Sequence, residues 1–282
     1  MDRLFRTDLA DEARRLFTPS GDEPLPGVRT GEETLCGLRA VRVEIRDAAG
    51  AQALRKAEGL YFSLELPRWF DRGAESFPDA VHALAELIRR CLRAAPERVL
   101  VAALGNPDVT PDALGSLAAS SILVTRHLKE REDERFRAFC SLALCRPGVL
   151  GSSGMESALQ IATLCRELKP ELVVAIDALA GSEPERLCRT VQVSDAGICP
   201  GSGVGNDRRE LSLLTLGVPV LSLGVPTVID AGSFGGEALG GMFVTPRDID
   251  SLVRAGARVI GYALDLALHR GLTIADVDML LG

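Results

Sequence analysis

The chain has 282 residues, 46% of them hydrophobic and 4% aromatic, with a formal net charge of −7. That is enough apolar material for a large core, and the acidic balance with few aromatics supplies neither the basic footprint nor the stacking platforms of a nucleic-acid binder. No apolar run reaches membrane-spanning length and the charged start MDRLFRTDLADEARR lacks a signal-peptide core, so the expected setting is cytoplasmic, with no membrane and no direct nucleic acid as partner.

Residues 1–35 are polar and rich in Pro and Gly, with a short helix expected over Phe5–Phe17 and Thr7 or Asp8 as its cap. Cys36–Arg46 alternates apolar and polar residues and suits a half-exposed strand; Gly59–Leu66 is a second strand ended by Pro67. These two predict an antiparallel edge over residues 40–70. Phe77–Ala94 places Val81, Leu84, Ala85, Ile88 and Leu92 on one helical stripe, with His82 beside it as a structural or solvent-facing residue.

Val99–Leu104 is an unbroken apolar run that stops at Gly105-Asn106, the pattern of a parallel strand covered on both faces. Thr110-Pro111 then leads through Asp112 into a helix expected over Ala113–Ser121. The run Ile122–His127 ends in Arg126 and His127, either supporting site residues or a solvated end. Glu130–Arg137 is a charged helical face. Ser141–Cys145 suits a strand, and the glycine-serine loop Pro147–Gly154 delivers a helix over Met155–Leu168.

Glu171–Leu179 is a second continuous apolar run, and its one interior charge is Asp177. Thr190–Ser194 is a short strand. The loop Gly197–Asn206, GICPGSGVGN, carries Gly201, Gly203 and Gly205 within five residues, so its backbone can approach a ligand closely. It has neither a Walker ending nor the GxGxxG spacing, and an oxyanion or peptide-backbone cradle formed with Ser202 and Asn206 stands beside the plain tight loop. Pro219–Asp230 is a further core strand. Gly232–Gly241 is expected to be mobile, and Thr245 caps a last helix that Pro246 opens. The sum is an α/β chain: one three-layer domain with a mainly parallel twisted sheet, antiparallel edge strands and helices on both faces.

Ligands of open α/β sheets bind outside the carboxyl ends of the strands. Asp112 and Asp177 both fall there, and if their strands adjoin they share one cleft. Two carboxylates in one site titrate apart, one ionised and one protonated, which serves both to activate water and to protonate a leaving amine. On the residues alone, a helix cap and a loop closure remain equally open. Seven scattered cysteines without CxxC spacing and three histidines (His82, His127, His269) build no zinc site, so neither metal nor cofactor is expected.

Several stretches together resemble the germination proteases of spore-forming bacteria: RTDLADEA (6–13), LGNPDVTPDALG (104–115), LVTRHL (123–128), PGVLGSSGMES (147–157), AIDALA (175–180), PGSGVGNDRRE (200–210) and GVPTVIDA (224–231). The resemblance implies an endopeptidase, located in the developing spore and spore core, that degrades the small acid-soluble proteins coating spore DNA during germination. It implies a tetrameric zymogen, inactive when made in the developing spore and activated by losing a propeptide, and a distant likeness to hydrogenase maturation endopeptidases. It makes Asp112 and Asp177 the catalytic pair, with Asn106, Arg126 and His127 as supporting candidates. It also implies self-cleavage between Asp8 and Leu9, since Thr7-Asp8-Leu9-Ala10 with Glu12 fits the family's acidic–apolar–Ala–acidic site. The expected units are a propeptide-like segment 1–8 and a protease domain 9–282.

The sequence departs from the family in three places. Cys199 stands where relatives carry His, removing any proton transfer there. The segment 232–241 is shorter than usual, which removes a flap or an interface. Only five residues precede Arg6, leaving little propeptide to hold a zymogen shut. Two other readings remain: a nickel-guided maturation protease with His127 as a ligand, and an inactive binding relative in which both aspartates are structural.

Overall fold

The computed structural model describes residues 7–17, 25–131, 134–205, 208–235 and 237–281. In chain order the elements are α1 (Ala10–Phe17), β1 (Val28–Leu35), β2 (Leu38–Ile45), α2 (Ala48–Leu54), β3 (Gly59–Glu65), α3 (Phe77–Cys91), β4 (Arg98–Ala103), α4 (Leu114–Ala118), α5 (Arg126–Glu130) and β5 (Ser141–Cys145). They continue with α6 (Leu150–Ser153), α7 (Ser157–Leu168), β6 (Leu172–Gly181), β7 (Thr190–Ser194), α8 (Leu213–Leu216) and β8 (Val220–Asp230). The chain ends with α9 (Gly232–Gly235), β9 (Phe243–Val244), α10 (Ile249–Leu268) and α11 (Ile274–Leu281).

The strands form one sheet in the order β1-β2-β3-β7-β8-β6-β4-β5, with β9 paired to β8. The half that carries the site, β8-β6-β4-β5, is parallel. β1, β2, β3 and β7 pair antiparallel, and β7 joins β8 antiparallel as well. The antiparallel region therefore reaches further in than residues 40–70.

Alternation along the central strands divides two cores. Val99, Val101, Val174 and Ile176 face one side, where Leu84, Ile88, Ile260 and Leu264 of α3 and α10 cover them. Leu100, Ala102, Val173 and Ala175 face the other, packed on Ile161 and Cys165 of α7. Each strand is thus apolar on both faces, which is why these segments read as continuous runs.

Three boundaries differ from the sequence expectation. β1 was hidden in the polar N-terminal stretch, since most of its residues are exposed. α10 starts at Ile249 after Asp248, so Thr245 is not its cap; the Thr245 hydroxyl instead donates to the Thr227 carbonyl at 2.9 Å. α1 starts at Ala10, and the first part of the expected helix, Phe5 and Arg6, lies outside the described residues. Within Gly232–Gly241, expected to be mobile, the described residues form α9 and a single 3-10 turn at Glu237–Leu239. Among the described residues no helix is long and apolar enough to cross a membrane.

Candidate active site

β4 and β6 are direct neighbours, with Ala103 opposite Ile176, so Asp177, the next residue of β6, lies beside the loop that leaves the carboxyl end of β4. Asp177 sits inside the last part of β6 with only 5% of its surface exposed. Asp112 ends a 3-10 turn, Thr110–Asp112, that leads into α4. Both line one cleft of about 500 Å³. α4 comes close enough to the strand ends because of Gly115: a Cβ there would stand 2.4 Å from the Leu104 carbonyl oxygen and 2.5 Å from that of Ile176.

The two carboxyl groups have different surroundings. Asp112 accepts the Asn106 backbone N–H at 2.8 Å, and Asp177 accepts that of Ala178 at 3.0 Å. Burial pushes the Asp177 carboxyl well above the ordinary range, the charge of Asp112 pushes it further, and the Ala178 amide and Arg208 oppose this. Burial also raises Asp112, against the Asn106 hydrogen bond and the charge of Arg208. Both carboxyls are thus raised, the more enclosed Asp177 the more strongly, and the two titrate as a coupled pair.

The N-terminal segment lies in the same cleft. The Asp8 N–H donates to the Ala180 carbonyl at 2.8 Å, and an Asp8 carboxylate oxygen accepts the Ala180 N–H at 2.8 Å. The Ser202 hydroxyl donates to the other oxygen at 2.8 Å. Asp8 is therefore no helix cap. Gly203 makes room for it, since a Cβ there would stand 2.2 Å from the Asp8 carboxylate. Leu9 is fully buried, its N–H donating to the Thr7 hydroxyl at 3.1 Å. Glu12 accepts from the Thr7 hydroxyl at 2.5 Å and from the Ser182 N–H at 2.7 Å, and burial raises its carboxyl.

Part of the glycine loop faces the cleft and part of it closes on itself. Gly201 and Gly203 line the cleft. The N–H groups of Ser202, Val204 and Gly205 donate to the carbonyls of Cys199, Gly201 and Ser202 within the loop, so they are spent internally. Asn206 lies outside the described residues. The Asn106 side chain shapes the preceding turn by accepting the Asp108 N–H at 3.0 Å, and its backbone is what reaches Asp112.

Arg126 and His127 are not brought to the cleft. Their helix α5 follows Thr125, whose N–H donates to the Leu142 carbonyl near the amino end of β5, at the opposite rim of the sheet. Arg126 pairs with Glu130 at 2.7 Å and His127 is exposed. Ile122–Thr125 is not a strand, so its end carries no site. Sequence reasoning also passed over three residues around the cleft. Gln192 clasps residues 8–10 through the Asp8 carbonyl and the Ala10 N–H. The Lys56 ammonium donates to the Thr7 carbonyl at 2.8 Å. Arg208, inside the glycine-rich motif at 200–210, lines the cleft itself. Among the described residues no cluster of three or more His, Cys, Asp or Glu is arranged to hold a metal ion.

Comparison with known proteins settles the family. Residues 7–240 match the germination protease family. The chain belongs to that family. A germination protease of Clostridium perfringens is 32% identical over 98% of both chains, and one from Caldanaerobacter subterraneus is 36% identical over the same share. One from Bacillus pumilus is 39% identical over 83% of this chain and 66% of its own. A solved structure of the [NiFe] hydrogenase maturation protease HycI from Thermococcus kodakarensis covers 64% of this chain at 19% identity, with a TM-score of 0.37. As a germination protease family member the chain is a protease, and its expected fold class, α/β with helices on both faces of the sheet, is the one it has.

Proposed function

We propose that this protein is an endopeptidase of spore germination that degrades small acid-soluble DNA-coating proteins with Asp112 and Asp177 as its water-activating pair. The observation that carries the reading is their placement in one cleft, Asp112 in the turn that follows β4 and Asp177 on the adjoining β6, where burial and the charge of Asp112 raise Asp177. Asp112, ionised, takes a proton from water as the water oxygen bonds to the scissile carbonyl carbon and the π electrons move onto the carbonyl oxygen. Asp177, neutral, gives its proton to the amide nitrogen as the C–N bond breaks and the carbonyl re-forms. Passage of the proton from Asp112 back to Asp177 resets the pair.

The docking of Asp8 in that cleft supports self-processing between Asp8 and Leu9, with residues 1–8 as the propeptide and 9–282 as the protease domain. Exposed Leu213 and Leu214 on α8, beside Leu159 on α7, support association into the homotetramer that the family resemblance implies. Purified protein is incubated with a small acid-soluble spore protein, beside Asp112→Asn and Asp177→Asn, with and without chelator. Cleavage by the unaltered protein, unaffected by chelator and reduced at least about a hundredfold in both variants, is the expected outcome. Full activity in either folded variant refutes the pair, and chelator sensitivity favours a metal-guided protease. No cleavage by any of them leaves a locked zymogen or an inactive relative, and a chain beginning at Leu9 decides between these: cleavage by it marks the zymogen, none marks the inactive relative.

A further inference from the structure

Peptide hydrolysis by a carboxyl pair needs a hydrogen-bond donor where negative charge gathers on the scissile carbonyl oxygen. The loop predicted to give that donor has spent the amides of Ser202, Val204 and Gly205 on its own carbonyls. Among the described residues lining the cleft, the one basic side chain is Arg208. Its Nη1 is buried and has no hydrogen-bond partner among the described residues, a costly state for a guanidinium unless a ligand completes it. Arg208 lines the same cleft as Asp112 and Asp177, and its charge favours the ionised form of both. Its backbone is fixed where the loop closes on itself: the Arg208 N–H donates to the Pro200 carbonyl at 3.3 Å, and the Cys199 thiol donates to the Arg208 carbonyl at 3.1 Å.

We propose that Arg208 is a catalytic residue that donates from its guanidinium to the scissile carbonyl oxygen and stabilises the oxyanion formed when water adds. The planar fork suits this work, because one N–H holds the oxygen while the delocalised charge remains within reach of Asp112. The guanidinium stays protonated throughout, so the proton traffic remains with the two aspartates. Cys199 holds the backbone of the arginine through its thiol.

The inference rests on the aspartate-pair reading, and the experiment separates the two. Steady-state cleavage of a small acid-soluble spore protein is measured for the full-length chain after it has reached a constant N-terminal mass. Arg208→Ala, Arg208→Lys and Asp112→Asn are run beside it, with folding followed by circular dichroism. Arg208→Ala is expected to lose about 10²–10³ in kcat with KM little changed, as for removal of an oxyanion donor. Millimolar guanidinium is expected to restore part of that loss, and Arg208→Lys to fall between. A kcat within threefold of the unaltered protein in both arginine variants, or a loss carried by KM alone, overturns the role of Arg208 while inactivity of Asp112→Asn keeps the pair. Activity in Asp112→Asn overturns the pair itself.

Discussion

Asp177 shows what a buried carboxyl in the cleft costs the fold. Its carboxyl titrates well above the unfolded value because it is buried and faces Asp112. Between those two values the folded state binds a proton that the unfolded chain has released, so its contribution to stability falls as pH rises. Asp177→Asn removes this penalty. Thermal unfolding is expected to show the variant more stable than the unaltered protein at pH 8, by roughly 2–4 °C for each kcal/mol gained, with the gap closing toward pH 4. A gap that widens on acidification would contradict the buried-proton account. On the proposed mechanism the pair is expected to give a bell-shaped pH profile of kcat, its acid limb set by protonation of Asp112 and its alkaline limb by ionisation of Asp177, and a profile without an alkaline limb would contradict the proposed acid. His269 is a second buried titratable group, without a catalytic partner. Burial depresses it to about 4 and it is fully enclosed; among the described residues neither ring nitrogen has a hydrogen-bond partner, and Nε2 stands 3.8 Å from a carboxyl oxygen of buried Asp265. Its stability contribution is lost as pH falls from about 6.5 toward 4. His269→Leu is expected to remove that acid sensitivity and to be neutral or stabilising by about 1 kcal/mol at pH 7, checked by urea unfolding at pH 5 and pH 7.

At the level of elements, the site depends on a short helix pressed onto two strand ends. Gly115 in α4 leaves no space for a side chain against Leu104 and Ile176, and both obstructing groups are backbone. Gly115→Ala must therefore move α4 and carry Asp112 away from Asp177. The expected cost is about 1–3 kcal/mol in stability together with a fall in kcat, measured by denaturant unfolding and by cleavage of the protein substrate. Unchanged activity would mean that the pair tolerates the displacement. The central strands were legible in the sequence because β4, β6 and β8 are covered on both faces and keep almost no polar residue inside. That pattern fixed the neighbourhood of Asp112 and Asp177 once the strands were known to adjoin. β1 was not legible, since an edge strand exposed along most of its length has no apolar rhythm to betray it. Arg126 and His127 misled because a run of apolar residues need not be a strand. Leu123 in that run is held by the Asp265 carboxylate, at 3.0 and 3.1 Å, rather than by a sheet partner. Arg208 was invisible as a site residue because its position comes from loop closure onto Pro200 and Cys199, which no spacing encodes.

For the whole molecule, α1 is tied into the sheet by a buried ionic cluster. Arg186 pairs with Asp11, which also accepts the Ser63 hydroxyl at 2.8 Å, and Glu12 lies alongside with no exposed surface. None of these contacts uses a residue before Leu9. A chain beginning at Leu9 is expected to melt within a few degrees of the full-length protein, whereas Asp11→Ala strands Arg186 and costs about 3–5 kcal/mol. Equal melting temperatures for all three would show that α1 carries no weight in the fold. The anchoring has a kinetic consequence for the eight residues ahead of it. Because Leu9 and α1 are fixed, Asp8 is held at the cleft by a tether of no length, and any incoming peptide meets a rival whose local concentration is of millimolar order or above. Occupancy of the cleft in an uncut chain then depends on how much substrate surrounds it, and cutting at Asp8 dilutes the rival to its bulk concentration. One peptide bond would thereby change the apparent affinity for every later substrate without altering a single contact that the substrate makes.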